Sequence, residues 1–227
     1  MKQQWVLPPK ENAEFVCAME NVLEVYTRAY DERRPVVCCD EASKQLLADV
    51  QAPLPLQPGE PLRIDYEYER RGTANLFMMF EPLAGRRYVE VTAQRTKGDF
   101  ARLLKHLVDD LYPQVERITL VVDNLNTHRL AVLYDTFAPA EARRLIEKLE
   151  FVYTPKHASW LNIAEMELSV LARQCLDRRI ADQETLRGQV AAWQEERNQA
   201  VVKVDWQFTT ADARIKLKRL YPSLELQ

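Results

Sequence analysis

ITLVVDNLNTH, residues 118–128, decides how the rest of the chain is read. Ile118 to Val122 is a near-continuous apolar, β-branched run, too short for a helix and stopped by Asp123-Asn124, as expected of a strand covered on both faces. Strands of that kind belong to open α/β sheets, where ligands sit beyond the carboxyl ends. The reading therefore places Asp123 where chemistry tends to happen. A second such strand, Val36-Val37-Cys38-Cys39, follows Pro35 and is expected to end at Asp40-Glu41. If the two strands are neighbours, Asp40 and Asp123 converge.

The elements around these two strands agree with a mixed sheet flanked by helices. Phe15, Met19, Val22, Leu23, Val25, Tyr26 and Tyr30 recur at helical spacing, which predicts an amphipathic leading helix within Glu11–Tyr30. Residues 48–62 are Pro-rich and read as an irregular excursion. Asn75–Phe80 and Arg87–Val91, separated by Pro82-Leu83-Ala84-Gly85, predict a hairpin. Thr96 to Asp99 has the form of a capping box, and the apolar repeat from Phe100 to Leu111 predicts a strong helix behind it. Pro139–Leu149 reads as a helix with Pro in its first turn. Phe151-Val152-Tyr153 reads as a short strand. Asn162 is a candidate N-cap for a helix to about Asp177, residues 182–199 are expected to be helical, and residues 211–227 form a basic-apolar tail. Three segments follow: 1–34 as an N-terminal linker and leading helix, 35–181 as an α/β domain, and 182–227 as a C-terminal helix and tail.

Composition removes several classes of function. With 227 residues, 47% apolar and only 5 glycines, the chain can bury its own core and is not a linker or a disordered segment. No apolar run approaches a bilayer span, and charged residues occupy the N-terminus where a signal peptide needs an apolar stretch. Cysteines at 17, 38, 39 and 175 contain no C-x-x-C pair and read as buried thiols in a reducing compartment, which excludes a disulfide scaffold or a structural zinc site. The balance of 31 basic against 34 acidic residues speaks at first against a polyanion ligand.

Glu165 lies in the first turn of the helix after Asn162, where it can face the point at which Asp40 and Asp123 meet. Three carboxylates without a His or Cys ligand cluster form a hard-oxygen set suited to Mg²⁺ or Mn²⁺. Two such ions can support an in-line phosphoryl displacement. Each residue also has a plain reading. An Asp at the end of an apolar strand is ordinary, and Glu165 is at the N3 position of a capping box with Asn162.

The wording around the three acids separates the two readings. VVDNLNTH at 121–128 and TPKHASWLNIAE at 154–165 resemble the second and third acidic motifs of IS630-group transposases, within the Tc1/mariner class of DDE enzymes, and CCDEAS at 38–43 resembles the first. The resemblance extends over DYEYERRGTANLF at 65–77, RQCLDRRI at 173–180 and DWQFTTADARIKLKRLYP at 205–222. It implies an RNase H-like fold whose first and fourth strands lie side by side and carry Asp40 and Asp123, with Glu165 on a later helix. It also implies two Mg²⁺ or Mn²⁺ ions, DNA as substrate, a homodimer, and a cytoplasmic, nucleoid-associated protein. This sequence departs from the group in two ways. The spacing from Asp123 to Glu165 is longer than usual, the surplus falling in the Ala138–Leu149 helix, and Ile163 stands where the third motif often has proline. Glu167 is accordingly the alternative third acid.

Asn124, Asn126 and His128 follow Asp123 and are read either as metal-orienting or phosphate-contacting groups, or as turn residues. Lys156 and His157 are candidate phosphate contacts or a solvated pair. Trp160 is read first as packing. Arginine doublets at 33–34, 70–71, 86–87, 143–144 and 178–179 suit phosphate contacts, with ion-paired surface as the default for each; Arg178 and Arg179 are the pair chosen for DNA. His106 lies on a polar helix face and needs no special role.

Three functions fit: a DNA-cleaving and joining transposase, a truncated remnant that only binds DNA or a partner transposase, and a cellular nuclease on the same scaffold. About 30 residues precede the first strand, too few for a helix-turn-helix pair. The expectation is a recognition part that is separate or missing. Apart from the three proposed ligands, acids and bases balance at 31 each, so the acidic total no longer argues against DNA.

Overall fold

The computed structural model describes residues 7–54, 58–59, 63, 65–125 and 128–223. A five-stranded mixed sheet lies at its centre, with strands β1 (Val36–Asp49), β2 (Tyr68–Glu81), β3 (Arg86–Thr92), β4 (Ile118–Val122) and β5 (Leu149–Tyr153) in the order β3-β2-β1-β4-β5. β1, β2 and β3 form an antiparallel meander, and β4 and β5 add in parallel. The first and fourth strands are therefore neighbours, as the sequence implied. Val36 pairs with Thr119 and Cys38 with Val121. Continuing that register by two residues sets Asp40 beside Asp123.

The expectation that the first strand stops at Asp40-Glu41 is corrected. β1 continues to Asp49, with Glu41 opposite Phe77 and Asp49 opposite Tyr68. Its apolar half lies inside the sheet and its polar half forms an arm with the exposed start of β2. The ladder satisfies the arm's backbone, and Leu46 is its one buried apolar side chain, so no apolar run marks it.

Two apolar layers sandwich the sheet. Helices α1 (Ala13–Tyr26), α5 (Ile163–Gln174), α6 (Gln183–Gln199) and α7 (Thr210–Lys216) pack on the face carrying Cys38, Val121, Leu76, Met78 and Phe80. Helices α2 (Lys97–His106), α3 (Val132–Thr136) and α4 (Pro139–Glu147) cover Val37, Cys39, Phe77, Leu120 and Val122 on the other. The alternation of side chains along each strand assigns them to these layers. Asp40 continues the Cys38 face, which α5 covers, and Asp123 follows the end of the neighbouring strand.

Local signals act as expected at most helix starts. Asn12 Oδ1 accepts from Phe15 N at 2.9 Å, and Thr96 with Asp99 closes a full capping box. The helix from Lys97 widens to a π-helical turn over Leu107–Leu111. α4 stops at Glu147 because Leu149, assigned to that helix from sequence, pairs with Ile118 as the first residue of β5. α3 was not anticipated. Of the four cysteines, Cys38, Cys39 and Cys175 are buried, but Cys17 is exposed on α1, which corrects the expectation for that thiol.

α6 lies along the outer edge of β3 and occupies its free backbone groups. Val89 N donates to Gln194 Oε1 at 2.7 Å, and Arg87 N donates to Asn198 Oδ1 at 2.9 Å. Asn198 Nδ2 donates to Arg87 O, and Arg187 Nη2 donates to Val91 O at 3.2 Å. The turn before β3 reaches the end of the same helix. Gly85 has φ +67°, and a Cβ there would stand 2.9 Å from the Val201 backbone.

Candidate active site

Each of the three acids is held by a different kind of element. Asp40 belongs to the central strand, and its Oδ1 accepts from Glu41 N at 2.8 Å. Asp123 follows the last residue of β4. Glu165 stands in the first turn of α5, whose start is fixed by Asn162. That side chain is 1% exposed; its Oδ1 accepts from Ala164 N at 3.1 Å and its Nδ2 donates to Cys39 O at 3.0 Å. One residue thus caps α5 and ties it to β1 immediately before Asp40. Asn162 does not use Glu165 as a capping-box partner, so the plain reading of Glu165 falls away.

Electrostatics tie the acids together. Burial first, then the charges of Asp123, Glu41 and Glu165, together raise the Asp40 carboxyl to about 7 against the Glu41 backbone hydrogen bond. Glu165 Oε2 is buried with no hydrogen-bond partner. Among the described residues no group of three or more Asp, Glu, His or Cys side chains is drawn tightly enough to form a ready-made ion cage. The donor set nevertheless fits a hard divalent cation: oxygen ligands only, mutual repulsion, and one orphaned carboxylate oxygen. Of the two candidates for the third acid, Glu165 is the one whose charge acts on Asp40. Glu167 is 3% exposed and paired with Arg87 and Arg197 on the far side of α5.

His128 takes a place different from a DNA contact. It is 1% exposed, packed on Phe100 with ring centroids 4.5 Å apart, and its Nδ1 is hydrogen-bonded to Asp123 Oδ1. Its Nε2 stands 2.9 Å from Glu41 Oε2, an ion-pair contact without aligned hydrogen-bond geometry. Burial works against its charge, but Asp123 and Glu41 prevail and hold its pKa up to about 9. An imidazolium beneath Asp123 fixes one carboxylate oxygen and leaves the other directed outward. Glu41 escaped the sequence reading because a residue one step from Asp40 points to the opposite face, and nothing local announces that His128 meets it there.

Asn124, Lys156 and His157 line one groove with Asp123, Thr154 and Pro155, on the outer side of the acids. Lys156 and His157 are exposed, and His157 adopts φ 64°. Asn126 lies outside the described residues. Arg178 and Arg179 are not part of this groove. Arg178 Nε donates to Cys175 O at 3.3 Å at the end of α5, and Arg179 Nη1 donates to Asp49 Oδ1 at 2.7 Å and to Glu67 O, holding the far end of the β1–β2 arm. The other doublets are largely committed as well. Arg33 and Arg34 pair with Glu116, Arg143 pairs with Glu147, Arg144 pairs with Asp109 and Glu141, and Arg87 is buried. Trp160 packs edge-on against Phe208 at 6.2 Å, and His106 bonds Asp110 at 2.7 Å. Among the described residues, no helix is long and apolar enough to cross a membrane.

Residues 35–187 match the family described as DDE superfamily endonuclease. The fold matches the Mos1 mariner paired end complex with Mn at 16% identity and TM-score 0.54, over 89% of this chain and 62% of that one. It matches the Mos1 strand transfer complex at 15% identity and TM-score 0.56, over 89% and 64%. It matches the mariner Mos1 paired end complex with Mg at 16% identity and TM-score 0.56, over 98% and 67%. The sheet and its flanking helices are thus RNase H-like, and the chain spans roughly two thirds of the length of these structures. No curated protein matches the chain significantly.

Proposed function

The chain belongs to the DDE superfamily endonucleases, and from that premise we propose that it is the catalytic domain of an IS630-group transposase that cleaves transposon ends and joins them to target DNA. The observation that carries the proposal is the desolvated acidic cluster. Asp40, raised to about 7, and the unpartnered Glu165 oxygen destabilise the folded chain unless a cation joins them. A remnant that only held DNA or a partner would have no use for that arrangement.

Asp40, Asp123 and Glu165 would hold two Mg²⁺ or Mn²⁺ ions. When bound, such ions activate the attacking oxygen and stabilise the leaving oxygen in an in-line displacement at phosphorus. The chain's own residues prepare the site. His128 fixes the orientation of Asp123, Asn162 fixes the start of α5, and Asn124, Lys156 and His157 border the groove where a phosphodiester would lie. Water attacks the element-end phosphodiester first, and the freed 3′-hydroxyl then attacks target DNA in the same site. The IS630 assignment rests on the motifs at 38–43, 121–128 and 154–165. The homodimer and a helix-turn-helix recognition part outside this chain rest on the same likeness, as does nucleoid association. Arg178 and Arg179 contact DNA in this reading only if the strand also passes the end of α5.

Alanine at Asp123 tests the proposal. It is expected to abolish Mg²⁺- or Mn²⁺-dependent nicking of element-end DNA while the circular dichroism spectrum is retained. Nicking at the wild-type rate by that variant refutes it.

A further inference from the structure

We propose that Glu167, the sequence's rival for the third acid, is instead a positioning residue that aims Glu165 at the metal site. The inference rests on the catalytic reading above. Asp40 and Asp123 are placed by a strand pair whose register is fixed by backbone hydrogen bonds. Glu165 has no such constraint, because its direction depends on how α5 is rotated about its own axis. A 20° roll displaces a long side chain's tip by about 2 Å, enough to spoil a ligand set that needs tolerances of about 0.5 Å.

Two fixings straddle Glu165. Asn162 holds the N-terminus of α5 to Cys39 O. Glu167 holds the next turn to two other elements at once. Its Oε1 lies 2.9 Å from Arg87 Nε of β3 and 2.8 Å from Arg197 Nε of α6, and its Oε2 accepts from Arg197 Nη2 at 3.2 Å. Arg87 is itself held, donating to Val202 O at 2.7 Å and to Asn198 Oδ1 at 3.2 Å, with its guanidinium over Phe80 at 4.8 Å. Residues two apart on a helix point about 200° apart. Gripping the Glu167 side of α5 therefore sets the direction of the Glu165 side. The Arg87 and Glu167 side chains are 0% and 4% exposed, so water offers neither group an alternative partner. An ionic anchor of this kind supplies orientation more than stability.

The test is Mn²⁺ binding by the chain, read from the loss of the free aqua-ion paramagnetic resonance signal. Half-saturating Mn²⁺ for DNA nicking and thermal melting are read in parallel. Glu167→Gln is expected to weaken Mn²⁺ binding about tenfold, the lower end of what loss of an outer-shell partner costs. Arg197→Met, which leaves the Arg87–Glu167 pair intact, is expected to fold even if Glu167→Gln does not, and to weaken binding less but in the same direction. Leu145→Ala, in the opposite layer, controls for stability loss alone and is expected to melt earlier while binding Mn²⁺ as wild type does. The proposal is overturned if folded Glu167→Gln and Arg197→Met bind Mn²⁺ like wild type, or if Leu145→Ala weakens binding equally. If Asp123→Ala loses Mn²⁺ while Glu167→Gln keeps it, only the positioning role falls. If Asp123→Ala also keeps it, the metal reading falls and takes this inference with it.

Discussion

Replacing Asp40 with Asn is expected to inactivate the chain and stabilise it. The Asp40 carboxyl is raised from 3.8 to about 7, chiefly by burial and then by Asp123, Glu41 and Glu165. At about 1.4 kcal/mol per pKa unit, full ionisation of that group in the metal-free fold costs at most about 4 kcal/mol. Solvent access and relaxation at a partly open site reduce this to about 1–2 kcal/mol. Asn keeps the Oδ1 that accepts from Glu41 N and removes only the charge. For a chain of this size the gain corresponds to a melting temperature higher by roughly 2–8 °C at pH 8. The sign follows from proton linkage. The folded state binds the Asp40 proton more tightly than the unfolded chain does, so wild-type stability is highest below pH 3.8 for this group and falls as pH rises to about 7. The advantage of Asp40→Asn therefore shrinks by more than half between pH 8 and pH 4. Calorimetric or dichroism melts with EDTA at the two pH values check this. Excess Mg²⁺ should then raise the wild-type melting temperature and leave the variant nearly unchanged. A variant that melts below wild type at pH 8 without metal, or gains equally at both pH values, refutes the argument that Asp40 is electrostatically burdened.

Asn162→Ala removes both the α5 cap and the link to Cys39 O; a loss of about 2–3 kcal/mol is expected in urea unfolding, with cleavage falling more steeply than stability. In the native chain, Ellman's reagent is expected to titrate one thiol, Cys17, because Cys38, Cys39 and Cys175 are buried and burial pushes their thiols up, Cys38 to about 12; four thiols should react in guanidinium. Gln194→Ala with Asn198→Ala uncovers the backbone groups of Arg87 and Val89 on β3, and concentration-dependent association on size-exclusion chromatography is expected.

The sequence was most legible where burial is continuous. β4 was read to the residue from Ile118–Val122, and with it the position of Asp123, because a strand covered on both faces writes its limits in apolar residues. The polar half of β1 was lost because its partner, β2, is what makes it a strand. Glu165 and Glu167 were nearly equivalent on paper. They are told apart by Arg87 and Arg197, which come from strands and helices that no local pattern connects to α5. The same holds for His128, whose buried ring meets Glu41 of β1. The length and type of an element are local properties, while the partner of a buried charge is a property of the finished packing.

The contacts between distant segments also set an order in time. Asn162 reaches Cys39 across 123 residues, and Arg214 of α7 reaches back to Glu20 of α1 across 194. The meander of β1, β2 and β3 can pair as it leaves the ribosome, but the acidic triad cannot exist until residue 165 has emerged. The layer that presses α5 onto the sheet closes only when α7 arrives. Assembly of the acidic cluster is thereby deferred to the end of synthesis. A nascent product stopped short of α5 carries Asp40 and Asp123 without Glu165.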